Sequence, residues 1–145
     1  MPKYRKYIFA VVFLKNKKYK FLIFHRKKNW KGWELLKGGL LEGEKELDGL
    51  KREIREETGS KKFKIVARTR HTIKYRWDRG YRKDHHIFHG AQGSLFVVQL
   101  FSKKVKIDKS EHDSYKWVEA KQTLKYFTYT NLKHAFKYVL KNYKL

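Results

Sequence analysis

The chain of 145 residues contains no cysteine, so disulfides, thiolate nucleophiles and cysteine-held metals are excluded, although that absence alone does not fix a compartment. Its single proline is Pro2, and no Pro-, Gly- or Ser-rich linker, repeat or low-complexity segment divides the sequence. No apolar run approaches the roughly 20 residues that span a bilayer. The N-terminal MPKYRKYIFAVVF lacks the small-residue cleavage site of a secretory leader. The expectation is a cytoplasmic protein without a membrane partner. Acidic residues are also scarce, 14 against 37 Lys and Arg. What is present in quantity is apolar and aromatic: 41% hydrophobic and 17% aromatic residues, enough for one domain over residues 1–145 to bury a core.

The few acids are unevenly placed. Seven of the 14 (Glu42, Glu44, Glu46, Asp48, Glu53, Glu56 and Glu57) lie between Gly38 and Ser60 beside four basic residues, a local charge of −3 that leaves +26 on the rest of the chain. A basic body with one acidic patch attracts polyanions. Once loaded with metal, such a patch suits a phosphoanhydride, whether in a small nucleotide or at an RNA 5′ end. Surface lysines also serve solubility and heat tolerance, so charge alone does not choose a partner.

Within that stretch Gly38, Glu44, Arg52, Glu53, Ile54, Glu56, Glu57 and Gly59 stand at fixed offsets; at average residue usage the pattern arises by chance with a probability on the order of 10⁻⁹ per starting position. Leu47, Leu50 and Ile54 recur at helical spacing and predict a helix over Lys45–Thr58 with one stripe under a sheet. Glu53, Glu56 and Glu57 fall on a neighbouring flank, where like charges three and four residues apart repel. A hard divalent cation would offset that repulsion, because Mg²⁺ takes oxygen ligands and completes its shell with water and phosphate. Glu44 and Glu46 are expected in the first turn, where acids suit the helix dipole, and Gly59 is expected as a left-handed terminator.

These residues resemble the signature of the Nudix hydrolases, which cleave a nucleoside diphosphate linked to another group; only Ser60 departs, standing where an aliphatic residue is usual. The resemblance implies an α/β fold, an α/β/α sandwich with a mixed β-sheet, and a magnesium cofactor with manganese as the alternative. It implies Glu53, Glu56 and Glu57 as metal ligands, Glu53 or Glu57 as the group that polarises the attacking water, and Arg52 as the residue that orients them. Glu44 is expected to support these ligands rather than to bind the metal.

Segments outside the signature resemble diadenosine tetraphosphate hydrolases and RNA 5′-pyrophosphohydrolases. Trp33-Glu34-Leu35-Leu36-Lys37-Gly38-Gly39 is similar to their W-x-x-P-K-G-G run, with Leu36 in place of proline. The likeness implies Lys37 on phosphate, Gly38 and Gly39 at the substrate, and a backbone carbonyl near Lys37 or Gly38 toward the metal. Arg26 matches a frequent family arginine, and Tyr75, 16 residues past Gly59, a tyrosine that stacks on a base. Glu111 to Val118 resembles E-x-D-x-x-x-W-V and makes Glu111 a fourth candidate carboxylate for the metal. The implied reaction is Mg²⁺-dependent hydrolysis of a nucleoside polyphosphate, first of all the asymmetric cleavage of diadenosine tetraphosphate. The alternatives are removal of pyrophosphate from triphosphorylated RNA 5′ ends, or a non-catalytic nucleotide- or RNA-binding module. The intact Arg52, Glu53, Glu56 and Glu57 weigh against the module.

Alternation predicts strands at Tyr7–Leu14 and Tyr19–His25 around a turn, a short strand at Trp33–Leu36, and further strands at Phe63–Tyr75, Leu95–Phe101 and Tyr115–Val118. Leu132, Ala135, Phe136, Val139 and Leu140 predict a helix over Asn131–Tyr143. Arg26–Lys31 reads as a basic loop and residues 76–90 as a polar, aromatic loop over the site. That second loop carries His85, His86 and His89, for which no zinc site is expected, since a helix-borne His pair four apart is missing.

Overall fold

The computed structural model describes residues 3–26, 31–77 and 87–145. Alternation in the first strand sets the architecture. In β1 (Tyr4–Lys15), Ile8, Ala10 and Val12 point to one face of the sheet, and Phe9, Val11 and Phe13 to the other. Both sets are buried, so both faces need cover.

β1 turns into β2 (Tyr19–Arg26), but the hairpin pairs only over Phe13–Lys15 and Tyr19–Phe21 before the strands part. Into the fork goes a ribbon bent at Leu35. Its first half, β3 (Gly32–Glu34), pairs with β2, and its second half, β4 (Leu36–Gly39), pairs with β1. The single short strand expected over Trp33–Leu36 is thus two strands on different neighbours. β5 (Phe63–Arg76) follows α1 (Glu46–Thr58), and β6 (Gly90–Leu100) then runs parallel to β1 over its whole length. β7 (His112–Val118) closes the far side against β2. The seven strands form one mixed sheet, β3-β2-β1-β6-β5 with β4 on β1 and β7 on β2.

α1 covers the Ile8 face with Leu50 and Ile54, against Leu36, Phe96 and Val98. α2 (Ala120–Tyr126) and α3 (Thr130–Tyr143) belong to the Phe9 face, where Leu132, Ala135, Phe136 and Val139 pack. Phe136 meets Phe21 edge to face at 4.8 Å. Helices on both sides of a mixed sheet make the expected α/β/α sandwich. Among the described residues no helix is long and apolar enough to cross a membrane.

Several local expectations shift. Leu47 is half exposed and takes no part in the buried stripe, whose places on α1 are filled by Gly49, Leu50, Glu53, Ile54, Glu57 and Thr58. Glu44 precedes the helix instead of lying in its first turn, where Glu46 and Asp48 stand. Phe101 lies beyond β6 and is half exposed. The uneven alternation of β5 comes from two register shifts against β6, extra residues that flip the facing of everything after them. α2 has no counterpart among the expected elements. Of the two loops, residues 27–30 and 78–86, including His85 and His86, lie outside the described residues.

Candidate active site

The site grows from the buried side of α1. Gly59, at φ 72°, takes the left-handed conformation that ends the helix, its N–H bonding the Arg55 carbonyl. One turn earlier, Glu53 lies directly beneath Gly38 of β4. A Cβ built at Gly38 would stand 2.0 Å from the Glu53 carboxyl carbon, so only glycine admits the carboxylate there. Gly39 is restricted in the same way by the Arg5 guanidinium, 2.5 Å from where its Cβ would be.

Arg52 holds this assembly together. Its Nε and Nη2 donate to the two Glu44 oxygens, both at 2.9 Å, its Nη1 donates to Glu53 Oε1 at 2.8 Å and Glu56 Oε2 at 3.2 Å, and Nη2 also reaches the Gly39 carbonyl at 3.0 Å. The planar fork of a guanidinium makes such sharing possible. Glu44 is fastened a second time by the Leu41 N–H, and these two bonds hold its carboxyl down at about 2. Glu53 and Glu57 are buried, whereas Glu56 sits at the solvent edge.

Glu57 faces away from Arg52, toward β7. Its Oε2 lies 3.0 Å from His112 Nδ1, outside hydrogen-bonding geometry. His112 Nε2 lies 2.7 Å from Glu34 Oε2, and Glu34 is flanked by Lys37 at 3.3 Å and Arg26 at 3.5 Å. Neither Glu34 nor His112 stands among the site residues that the sequence suggests, yet both are almost fully buried, and they link the carboxylate helix to the two expected phosphate-binding cations. The ligating atoms of Glu57, Glu111 and His112 all lie within 4.8 Å of one another.

Burial pushes Glu53 up to about 7, against the pull of Arg52, and pushes Glu57 up as well, against the pull of His112. For His112 burial works the other way, but its bonds to Glu34 and Glu57 carry it up to about 9. Burial would raise Glu34 too; Lys37, His112 and Arg26 together bring it down to about 2. Lys37 is kept charged against its burial mainly by Glu34.

A buried carboxylate oxygen on Glu57 with no hydrogen bond, beside other carboxylates, is an incomplete arrangement. Oxygen donors of this kind suit a hard divalent cation. The residues therefore fit one, with Glu53, Glu56, Glu57 and Glu111 as the available oxygens. A consequence follows for the metal-free protein. The ordinary Glu value is 4.5 and the folded value of Glu53 is about 7, so between these pH values only the folded state keeps the proton. The stability from that neutral carboxyl is complete below pH 4.5 and is lost as pH rises through 7. Glu57 acts in the same sense, and His112 extends the loss from 6.5 to about 9. The metal-free Tm is expected to fall from about pH 5 to about pH 8, and added Mg²⁺ to raise Tm more at the upper end of that range than at the lower. A Tm that is flat or rises with pH without metal would contradict these shifts.

On the Phe9 face a cavity of about 490 Å³ opens toward this center. Its wall combines Tyr7, Tyr75, Trp77 and Tyr129 with Arg26, Lys37, Lys74 and Arg76, and Glu34 lies at its floor. Lys37 donates to the Tyr75 hydroxyl at 3.1 Å. Arg26, Lys37 and Tyr75 thus come together at the cavity, while Gly38 and Gly39 lie outside its lining, against Glu53 and Arg5.

The sequence model of the NUDIX domain family matches residues 4–139. An RNA pyrophosphohydrolase of a Nitratiruptor species is 30% identical over 148 aligned positions, covering 98% of this chain and 94% of that protein. Among solved structures, a C. elegans Ap4A hydrolase binary complex superposes with a TM-score of 0.73 at 21% identity, covering 92% of this chain and 93% of the other. The E. coli dihydroneopterin triphosphate pyrophosphohydrolase gives 0.75 at 19% identity, covering 97% and 99%. With the family match running almost from end to end of the sheet and the glutamate helix at its center, the chain belongs to the Nudix family, hydrolases that act on phosphoric anhydrides.

Proposed function

We propose that the protein is a divalent-metal-dependent pyrophosphohydrolase of nucleoside 5′-polyphosphates, using Mg²⁺ or Mn²⁺. The observation that carries this reading is the meeting of two unlike surfaces, a carboxylate cluster around Glu53 and Glu57 and an aromatic, cationic cavity, joined by Glu34 and His112. A cation held by Glu53, Glu56, Glu57 and Glu111 would draw charge from the phosphoryl oxygens and acidify a bound water. The protein's own groups do the rest. Lys37 and Arg26 hold phosphate, Arg52 fixes the directions of Glu53 and Glu56, and Glu53 or Glu57 takes the proton of the attacking water. Tyr75 stacks on the base.

Two substrates present the required end group. Diadenosine tetraphosphate is supported by the pairing of Lys37 with Tyr75, which places a phosphate contact next to a stacking surface. A triphosphorylated RNA 5′ end is supported by the named activity of the Nitratiruptor relative. A panel of diadenosine tetraphosphate, 5′-triphosphorylated RNA, ADP-ribose and oxidised nucleotides with Mg²⁺ and product identification tests the reading, and no turnover of any would end it. Tyr75→Ala is expected to raise the KM for diadenosine tetraphosphate about tenfold, the loss of roughly 1–2 kcal/mol of stacking. An unmoved KM would remove Tyr75 from base binding.

A further inference from the structure

The three strands that lie side by side at one end of the sheet, β1, β6 and β5, contain no acidic residue along their whole lengths. Their register brings the basic ones together. On the face shared with α1, Lys6 sits beside Gln92 and Gln92 beside Lys74, and in the next row Tyr4, Gly90 and Arg76 are neighbors. Lys6, Arg70, Lys74 and Arg76 are exposed, and none has an acidic partner among the described residues. Lys74 Nζ stands 4.4 Å over the Tyr4 ring. Repulsion among unpaired cations is a standing cost that a polyanion would relieve. Cations interleaved with an aromatic ring are the combination that tracks a single strand, phosphates on the charges and bases on the rings.

The patch is continuous with the cavity, because Lys74 and Arg76 belong to both. A chain leaving a bound 5′ nucleotide on that side meets Lys74 and Arg76 and then Lys6 and Arg70. We infer that this acid-free face of β1, β6 and β5 is a docking surface for single-stranded RNA, holding the nucleotides that follow a 5′ end bound in the site. The inference rests on the reading of the site as a nucleoside polyphosphate hydrolase, and it turns that reading toward RNA.

The test separates the two. Binding of a 5′-hydroxyl RNA dodecamer, which carries no polyphosphate, is followed by fluorescence anisotropy in wild type, in Lys6→Glu/Arg70→Glu, and in Lys121→Glu/Lys141→Glu. The last pair makes the same charge change on exposed helix positions. The Kd is expected to rise at least tenfold in the first variant and less than threefold in the second. The wild-type log–log salt slope is expected near −3, about −0.7 for each of four phosphates. In turnover, kcat/KM for triphosphorylated oligomers is expected to grow at least tenfold from two to eight nucleotides in wild type, and not in Lys6→Glu/Arg70→Glu, with diadenosine tetraphosphate cleavage unchanged. Equal weakening by both variants, or length-independent turnover, would overturn the docking surface while leaving the hydrolase standing. Stronger binding of acidic polypeptide than of RNA would also overturn it. Absence of turnover on every substrate would instead strike the hydrolase reading.

Discussion

Glu57→Gln is expected to lower kcat by about 10³-fold, the loss of roughly 4 kcal/mol of transition-state stabilisation, and at about pH 8 to leave the metal-free protein as stable as wild type or more so. The two effects share one cause. Glu57 is almost completely buried and its carboxyl is raised by that burial even with His112 alongside, so its ionised form is disfavoured by folding. An amide of the same shape carries no charge to desolvate and keeps an acceptor for His112, but it is a poor ligand for a hard cation and takes no proton. A residue kept for packing would behave in the opposite way, losing stability when changed and activity only in proportion. Circular dichroism melts beside initial rates separate the cases, and full turnover in the variant would remove Glu57 from the site.

Arg52→Ala is expected to cost both, with Tm falling by about 5–10 °C and activity by at least 10²-fold. Its guanidinium satisfies Glu44, Glu53, Glu56 and the Gly39 carbonyl at once, and truncation leaves the buried Glu53 without its cation. Arg52→Lys sharpens the test. An ammonium preserves the charge but cannot donate along four directions from one plane, so Tm is expected to recover most of its loss while kcat stays low. Equal recovery of both would mean that Arg52 supplies charge alone and does not orient its neighbors.

The glutamate helix was legible in the sequence because its information is local: the spacing of Arg52, Glu53, Glu56 and Glu57 and the terminating Gly59 lie within one element. The β1–β2 hairpin and α3 were legible for the same reason, through periodicity. Glu34 and His112 were not, since their meaning is a contact between residues 78 apart that no pattern within either strand announces. A signal did exist for Glu34, an acid between Trp33 and Leu35-Leu36 in a strand, since a charge at an inward position must find a partner. Leu47 misled because three apolar residues at helical spacing look like one stripe, whereas this helix buries carboxylates on the side toward the sheet. α2 buries only Thr123 and so shows no amphipathic pattern; its trace was the capping pair Glu119 and Gln122.

Catalysis, on this view of the site, depends on the buried carboxylates gathering a divalent cation that exposes an anhydride bond to water. The most direct measurement is the initial rate of hydrolysis of triphosphorylated RNA and of diadenosine tetraphosphate against Mg²⁺ concentration, for wild type, Glu53→Gln and Glu57→Gln. The expected result is a wild-type rate that vanishes in chelator and saturates with Mg²⁺, and variants that stay folded yet slow by about 10³-fold. Hydrolysis that persists in chelator, or that proceeds undiminished in both variants, would contradict it.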